Sequence, residues 1–388
     1  MQRKLLAVAV ASAFAAPAVA QAQTSTVQVF GNLYYEYAWI NQGRYPNGDH
    51  VNVDQMQTPG SQIGFKGEEK LGGGLSAWFQ CASTADMRGQ SQEGWCSRNS
   101  ALGLKGAFGN VWVGNWDTPF KRVGGANRIT NETGAFGASF LLTGGATTVN
   151  GGATPALFSR RQNNSISYDS PTFGGFQVMA MTSATNTSTA NTAGATANKP
   201  RLWSFGAMYR NGPISVGGAY ESHKDFSPGG TAFSGTDRGW IASAGYQLGT
   251  LRLGALYTDR KYETGAGTDL KVAAWHLAAD WKFAGPHGLR AAYTRANDTK
   301  GGFAGTIPGS NSMLVGNAGA GGTGASLWQI HYVNTLSKRT EATIGYARLD
   351  NKNNARYALG GVGGTGASSA PSPGNDMHVW GVSLRHRF

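Results

Sequence analysis

The feature that most constrains this chain is the rhythm of its connections. Segments of about ten residues, each alternating apolar and polar side chains, are joined by links that are very short and long by turns. Gly72-Gly73-Gly74, Asn211-Gly212-Pro213, Gly249-Thr250 and Ser337-Lys338 are short links; the links between them are long and polar or glycine-rich. Successive side chains of a strand point to opposite faces, so such segments read as strands with one apolar and one polar face. They number 16. Leu270 to Phe283 shows the pattern best: Trp275, Leu277, Ala279, Trp281 and Phe283 oppose His276, Asp280 and Lys282. The first strand, Val27 to Ile40, sets Tyr35, Tyr37 and Trp39 against Gln28, Asn32 and Glu36. The last, Asp376 to Phe388, puts Trp380, Val382, Leu384, His386 and Phe388 on one face. Val379, Gly381, Ser383, Arg385 and Arg387 lie on the other, and the strand runs to the final residue. A chain that closes a barrel must pair its last strand with its first.

Although 40% of the residues are hydrophobic, no stretch of the mature chain approaches the roughly 20 apolar residues of a membrane helix. Only helices and closed barrels satisfy every backbone group in lipid. The expected fold is therefore all-β, a transmembrane antiparallel β-barrel. Tyr37, Trp39, Trp240, Trp281, Trp328 and Trp380 fall near strand ends, as an interfacial aromatic girdle requires. In a soluble β-sandwich these rings would be core, but a sandwich does not use 16 strands.

Residues 1–22 read as a cleaved export signal, leaving 23–388 as one barrel domain. Arg3 and Lys4 precede the apolar run Leu5 to Ala16, and small residues follow. Cleavage after Ala20 or after Ala22 fits; Ala20-Gln21-Ala22 is preferred. Without Arg3 and Lys4, 31 basic residues stand against 21 acidic, a net +10. No basic run or nucleic-acid motif occurs, and single Arg and Lys residues recur inside alternating segments. That distribution suggests a positively lined interior rather than a nucleic-acid surface. The two cysteines, Cys81 and Cys96, flank a 14-residue polar segment and suggest a disulfide at the base of a hairpin loop. The seven histidines lack metal-ligand spacing and no catalytic triad stands out, so no metal, cofactor or enzymatic activity is expected.

Trp116 to Ser159 breaks the rhythm, with more than 40 residues and no strand alternation. A loop of that length in a compact fold is usually functional or disordered.

Taken together, VQVFGNL (Val27 to Leu33), SQIGFKGEEKLGGGLSAWFQ (Ser61 to Gln80), LGLKGAFGNVWVGNWDTPF (Leu102 to Phe120), RQNNSISYDSPTFGGF (Arg161 to Phe176) and LRHRF (Leu384 to Phe388) resemble the Gram-negative general porins. The nearest likeness is to the 16-stranded trimeric porins of β-proteobacteria. The resemblance spans the mature chain. It implies a homotrimer in the outer membrane, in contact with lipid and lipopolysaccharide, whose subunits each hold a water-filled channel for small hydrophilic solutes. It implies that the long third loop folds into the pore, with acidic loop residues facing basic wall residues. Asp117 and Glu132 are the loop candidates, and Arg161 and Arg98 match basic wall positions. Gln62 stands where many relatives carry arginine, and Lys66 is two alternations along the same face. By the resemblance, Phe388 is read by the outer-membrane assembly machinery.

Read from the residues alone, Arg161 shares a face with Asn163, Ser165 and Ser167. Arg98 shares parity with Leu102 and Leu104, so an inward Arg98 requires a bulge. Basic residues around a narrow passage favour anions, so small anionic solutes are the expected passengers. The alternatives are a substrate-specific channel and an outer-membrane barrel hydrolase.

Overall fold

The computed structural model describes residues 26–44, 50–89, 94–130, 134–137, 158–184, 200–226, 235–265, 268–308, 313–317, 319, 321–359 and 372–388. The expected export signal and Glu132 lie outside the described residues.

The strands are β1 (Thr26–Arg44), β2 (His50–Gln57), β3 (Gln62–Gly72), β4 (Leu75–Thr84), β5 (Ser100–Gly106), β6 (Gly109–Asp117), β7 (Arg161–Asp169), β8 (Phe176–Ser183), β9 (Arg201–Asn211) and β10 (Ile214–Lys224). They continue as β11 (Thr236–Leu248), β12 (Leu251–Gly265), β13 (Thr268–Ala284), β14 (His287–Ala296), β15 (Ala304–Pro308), β16 (Met313–Asn317), β17 (Ala325–Thr335), β18 (Thr340–Asn351) and β19 (Met377–Arg387). Among the described residues one helix, α1 (Pro119–Asn127), follows β6. Neighbours pair antiparallel around the ring, and β1 pairs with β19 from Asn32↔Arg387 to Asn41↔His378. That pairing closes the barrel and removes its sheet edges.

The ring contains 17 strands but 16 staves, because β2 and β3 share one. β3 pairs with one half of β1, Thr26↔Glu68 to Asn32↔Gln62, and β2 with the other, from Glu36↔Gln57. In the gap, the Ser61 hydroxyl accepts from the Tyr34 amide at 2.9 Å and donates to the Tyr34 carbonyl at 2.8 Å. A side chain thus replaces one ladder rung, and the stave bends without leaving backbone groups unpaired. β2 occupies eight residues of the polar link that follows the first expected strand. The small hairpin of β15 and β16 likewise lies inside a link read as loop.

The two faces separate as the alternation predicts. In β19, Met377, Val379, Gly381 and Ser383 are buried, whereas Trp380, Val382 and Leu384 are exposed. Trp39, Trp240, Trp281 and Trp328 are likewise exposed on the apolar face. The chain end is tied in: Phe388 donates its amide to Gly31 O at 3.1 Å and accepts from Gly31 N at 3.0 Å. The Phe388 ring covers Gly31, where any Cβ would lie 2.4 Å from a ring carbon. Cys81 and Cys96 are disulfide-bonded, with Cα atoms 4.7 Å apart, across the link between β4 and β5.

Candidate functional site

The described parts of the segment between β6 and β7 lie against the buried faces of several strands. It opens with α1. Thr118 caps the helix, its hydroxyl accepting from Lys121 N at 3.3 Å, and Pro119 takes the first turn, where its missing N–H costs nothing. Phe120 and Val123 are fully buried. Gly124 approaches the wall so closely that a Cβ there would lie 3.0 Å from Ile241 Cδ1.

The helix ends near the short-turn ends of β10 to β12. Asn127 donates to Ser215 O at 3.2 Å and Ser243 Oγ at 3.1 Å. Arg252 donates to Ala126 O at 2.8 Å, a cation on the terminal carbonyls where the helix dipole is negative. From the helix's other side Arg122 reaches Asp169 with two bonds, at 2.8 and 2.5 Å, and its guanidinium lies 5.8 Å from the Trp112 ring centroid.

Residues 134–137 touch a different part of the ring. Ala135 donates to Glu36 Oε1 of β1 at 2.7 Å, and Gln329 Nε2 of β17 donates to the Phe136 carbonyl. The Phe136 ring packs edge-on against His331, centroids 4.8 Å apart, over Gly345 and Gly381. Side chains at those two glycines would fall 3.1 and 2.8 Å from the ring. The segment returns at Phe158, stacked 4.4 Å from His223 of β10. Arg160 follows, 5.0 Å from the Phe226 ring, and burial lowers its pKa to about 10, so it stays charged at neutral pH. In effect, the long link is fastened at three places around the ring.

Asp117, Arg161, Lys121 and Asn99 form one cluster. Asp117 lies 3.0 Å from Lys121 Nζ and 3.5 Å from Arg161 Nε. Asn99 bridges the pair, accepting from Arg161 at 2.7 Å and donating to Asp117 at 3.1 Å. Strict alternation does not run through to Arg161, however. The register slips between Gly114 and Trp116, Asn164 has φ 49°, and buried Gln162 rather than Arg161 stands opposite Trp116. The extra residue of a bulge moves every side chain beyond it to the other parity.

A second irregularity brings Arg98 and Gln62 together. Ala101 pairs with Gln80, yet Arg98 N donates to Ala82 O, three residues against two. Arg98 then donates to Gln62 Oε1 at 2.9 Å. Lys66 stays on the Gln62 face, opposite exposed Ile63 and Phe65, with its ammonium 5.3 Å from the Phe30 ring.

The sequence reading missed Arg290 as a site residue. It donates to Asp280 at 3.0 Å and twice to Glu341 at 2.8 Å. Arg385, on the polar face of the last strand, lies 4.5 Å from the Tyr34 ring centroid. The signal was present, since Arg290 alternates with the outward Leu289 and Ala291; the ion pairs join separate strands and leave no local trace.

A family model described as Gram-negative porin matches residues 7–354. Outer membrane porin protein 32 of Delftia acidovorans is 27% identical over 100% of both chains. Major outer membrane protein P.IB of Neisseria gonorrhoeae is 38% identical over 30% of each chain. The P.IB protein of Neisseria meningitidis serogroup A is 29% identical over 58% of this chain and 61% of its own. Against these P.IB relatives the chain thus spans between 30% and 61% of their length. Among solved structures, the anion-selective porin from Comamonas acidovorans superposes with a TM-score of 0.73 at 23% identity, covering 94% of this chain and 100% of that one. OmpT of Vibrio cholerae gives 0.67 at 16% identity, covering 96% and 100%. With a closed ring of 16 staves and a family match over most of its length, the chain belongs to the Gram-negative porins.

Proposed function

We propose that this chain forms a water-filled channel in the outer membrane, through which small hydrophilic solutes and ions diffuse passively, with anions favoured. The observation that carries this reading is a closed barrel with an apolar exposed face and an opposite face holding Lys66, Arg98, Arg290 and Arg385. Channel function needs no chemical step; selectivity follows from pore size and from the field of charges that water screens poorly. The described parts of the link between β6 and β7, α1 and residues 134–137, narrow the passage, held against different walls by α1 and by Phe136. Arg98, Gln62 and Lys66 set the field there, with Asp117 paired to Lys121 and Arg161. The channel works as a homotrimer, as its resemblance to trimeric porins implies, and its outer face meets lipid and lipopolysaccharide.

Liposome swelling tests the general-diffusion reading. Uncharged sugars of increasing size should enter at rates that fall steadily with size and do not saturate. Saturation at low concentration by one sugar would point to a substrate-specific channel, and no swelling with any sugar would overturn the channel itself.

A further inference from the structure

A cavity of about 580 Å³ lies against β3, β4 and β5, lined by Lys66, Glu68, Lys70, Trp78, Gln80 and Lys105. Trp78 is held rigidly. Its Nε1 donates to Asn110 Oδ1 at 2.7 Å, and its ring packs against Trp112 and Trp116, centroids 6.0 and 5.8 Å away. Gly103 makes this possible, since a Cβ there would lie 2.6 Å from the indole. The ring remains half-buried, so part of it faces the cavity. Lys66, Lys70 and Lys105 line the same cavity. Glu68 pairs with Lys105, and Glu69 also lines the cavity. Three lysines against two glutamates leave the lining with a net charge of +1, and Lys66 and Lys70 are its exposed cations.

We propose that this cavity is a binding subsite for aromatic carboxylates. The inference rests on the channel reading above and extends it to a solute class. A small inorganic anion needs cations but no ring face. A neutral sugar can use the ring but gains nothing from three lysines. A planar aromatic acid uses both: offset stacking on a preoriented indole, and a carboxylate on an ammonium group. Because Trp78 is already fixed, little ordering cost falls on binding.

The test is chloride current through the reconstituted full-length channel in a planar bilayer, titrated with benzoate, acetate or cyclohexanecarboxylate. Benzoate should reduce the current saturably while acetate does not, and cyclohexanecarboxylate should act more weakly than benzoate. Lys66→Gln and Trp78→Leu should each raise the half-blocking concentration about threefold to tenfold, the range expected for losing one aromatic or charged contact. Trp78→Phe, which keeps a ring, should stay within about twofold of wild type. Identical titrations with benzoate and acetate, or with benzoate and cyclohexanecarboxylate, would overturn the subsite and leave the channel standing. Unchanged half-block in both Lys66→Gln and Trp78→Leu would do the same. Absence of any chloride current would overturn the channel and the subsite with it.

Discussion

Glu36 accepts the amide hydrogen of Ala135 at 2.7 Å across 99 residues of sequence. The same carboxylate accepts from the Tyr34 hydroxyl at 2.8 Å and is fully buried. One side chain of the first strand therefore fixes the backbone of the long link, and Phe136 in its glycine-floored socket holds the adjoining residue.

Phe136→Ala should release this attachment. It removes ring contacts with His331, Gly345 and Gly381, while the barrel's ladder of hydrogen bonds is untouched. Truncating a buried Phe typically costs about 3–5 kcal/mol, and here that loss falls on the link rather than on the wall. Single-channel recordings should show larger and noisier conductance with unchanged barrel melting. Gly381→Ala should act in the same direction, because its Cβ would lie 2.8 Å from both Phe136 and Tyr37 O. Unchanged conductance in both variants would mean that the socket does not hold the link.

Acid should loosen the link between β4 and β5. The Arg88 guanidinium binds both Asp86 oxygens, at 2.9 and 3.1 Å, and Thr58 donates to the same carboxylate at 2.8 Å. Arg88 above all holds the Asp86 pKa down to about 2. A folded value below the unfolded one contributes stability that is present in full above about pH 4 and is lost as pH falls through about 2. Pepsin cleavage of this link should rise between pH 4 and 2 in wild type. In Arg88→Gln cleavage should already be high near pH 4, because the carboxylate then protonates earlier. Identical profiles would refute the assignment.

Barrel closure should depend on the contact between Gly31 and Phe388. The Phe388 ring sits where a Gly31 side chain would be, and the two backbones exchange hydrogen bonds at 3.0 and 3.1 Å. Gly31→Val should therefore reduce the yield of folded barrel, seen as loss of the heat-modifiable band on electrophoresis. Phe388→Ala should reduce it through the same seam, whereas Arg387→Gln should fold normally. Normal yield from Gly31→Val would show that the seam tolerates displacement of the ring.

How much of this was legible before the structure depends on the range of each interaction. The outward row Trp380, Val382 and Leu384 and the inward Ser383 were readable because side-chain alternation is local. The Cys81–Cys96 bond was readable because 15 positions of sequence separate its ends across one hairpin. The second stave was half hidden: Pro59 and Gly60 break it, and Asp54, Gln55 and Gln57 mask the alternation of Val51 and Val53. Helix α1 has glycine at two of its nine positions and only a short apolar stripe, so no long helical period marks it. Its signal was the Thr118-Pro119 start. The bulges near Arg98 and Asn164 shift parity by one residue, and no propensity marks that shift. The socket of Phe136 joins residues from distant strands and could be seen only in the fold.

The central claim is that fixed positive charge inside this barrel favours anions, and the zero-current potential across a potassium chloride gradient tests it most directly. Wild type should show the sign of chloride preference. Asp117→Asn should strengthen that preference, because its carboxylate now offsets Lys121 at 3.0 Å and Arg161 at 3.5 Å. Lys66→Glu should weaken it, because Lys66 stands on the face opposite exposed Ile63 and Phe65, and both shifts should shrink as salt rises and screening grows. A wild-type potential of potassium sign, or one unmoved by both substitutions at low salt, would contradict the account.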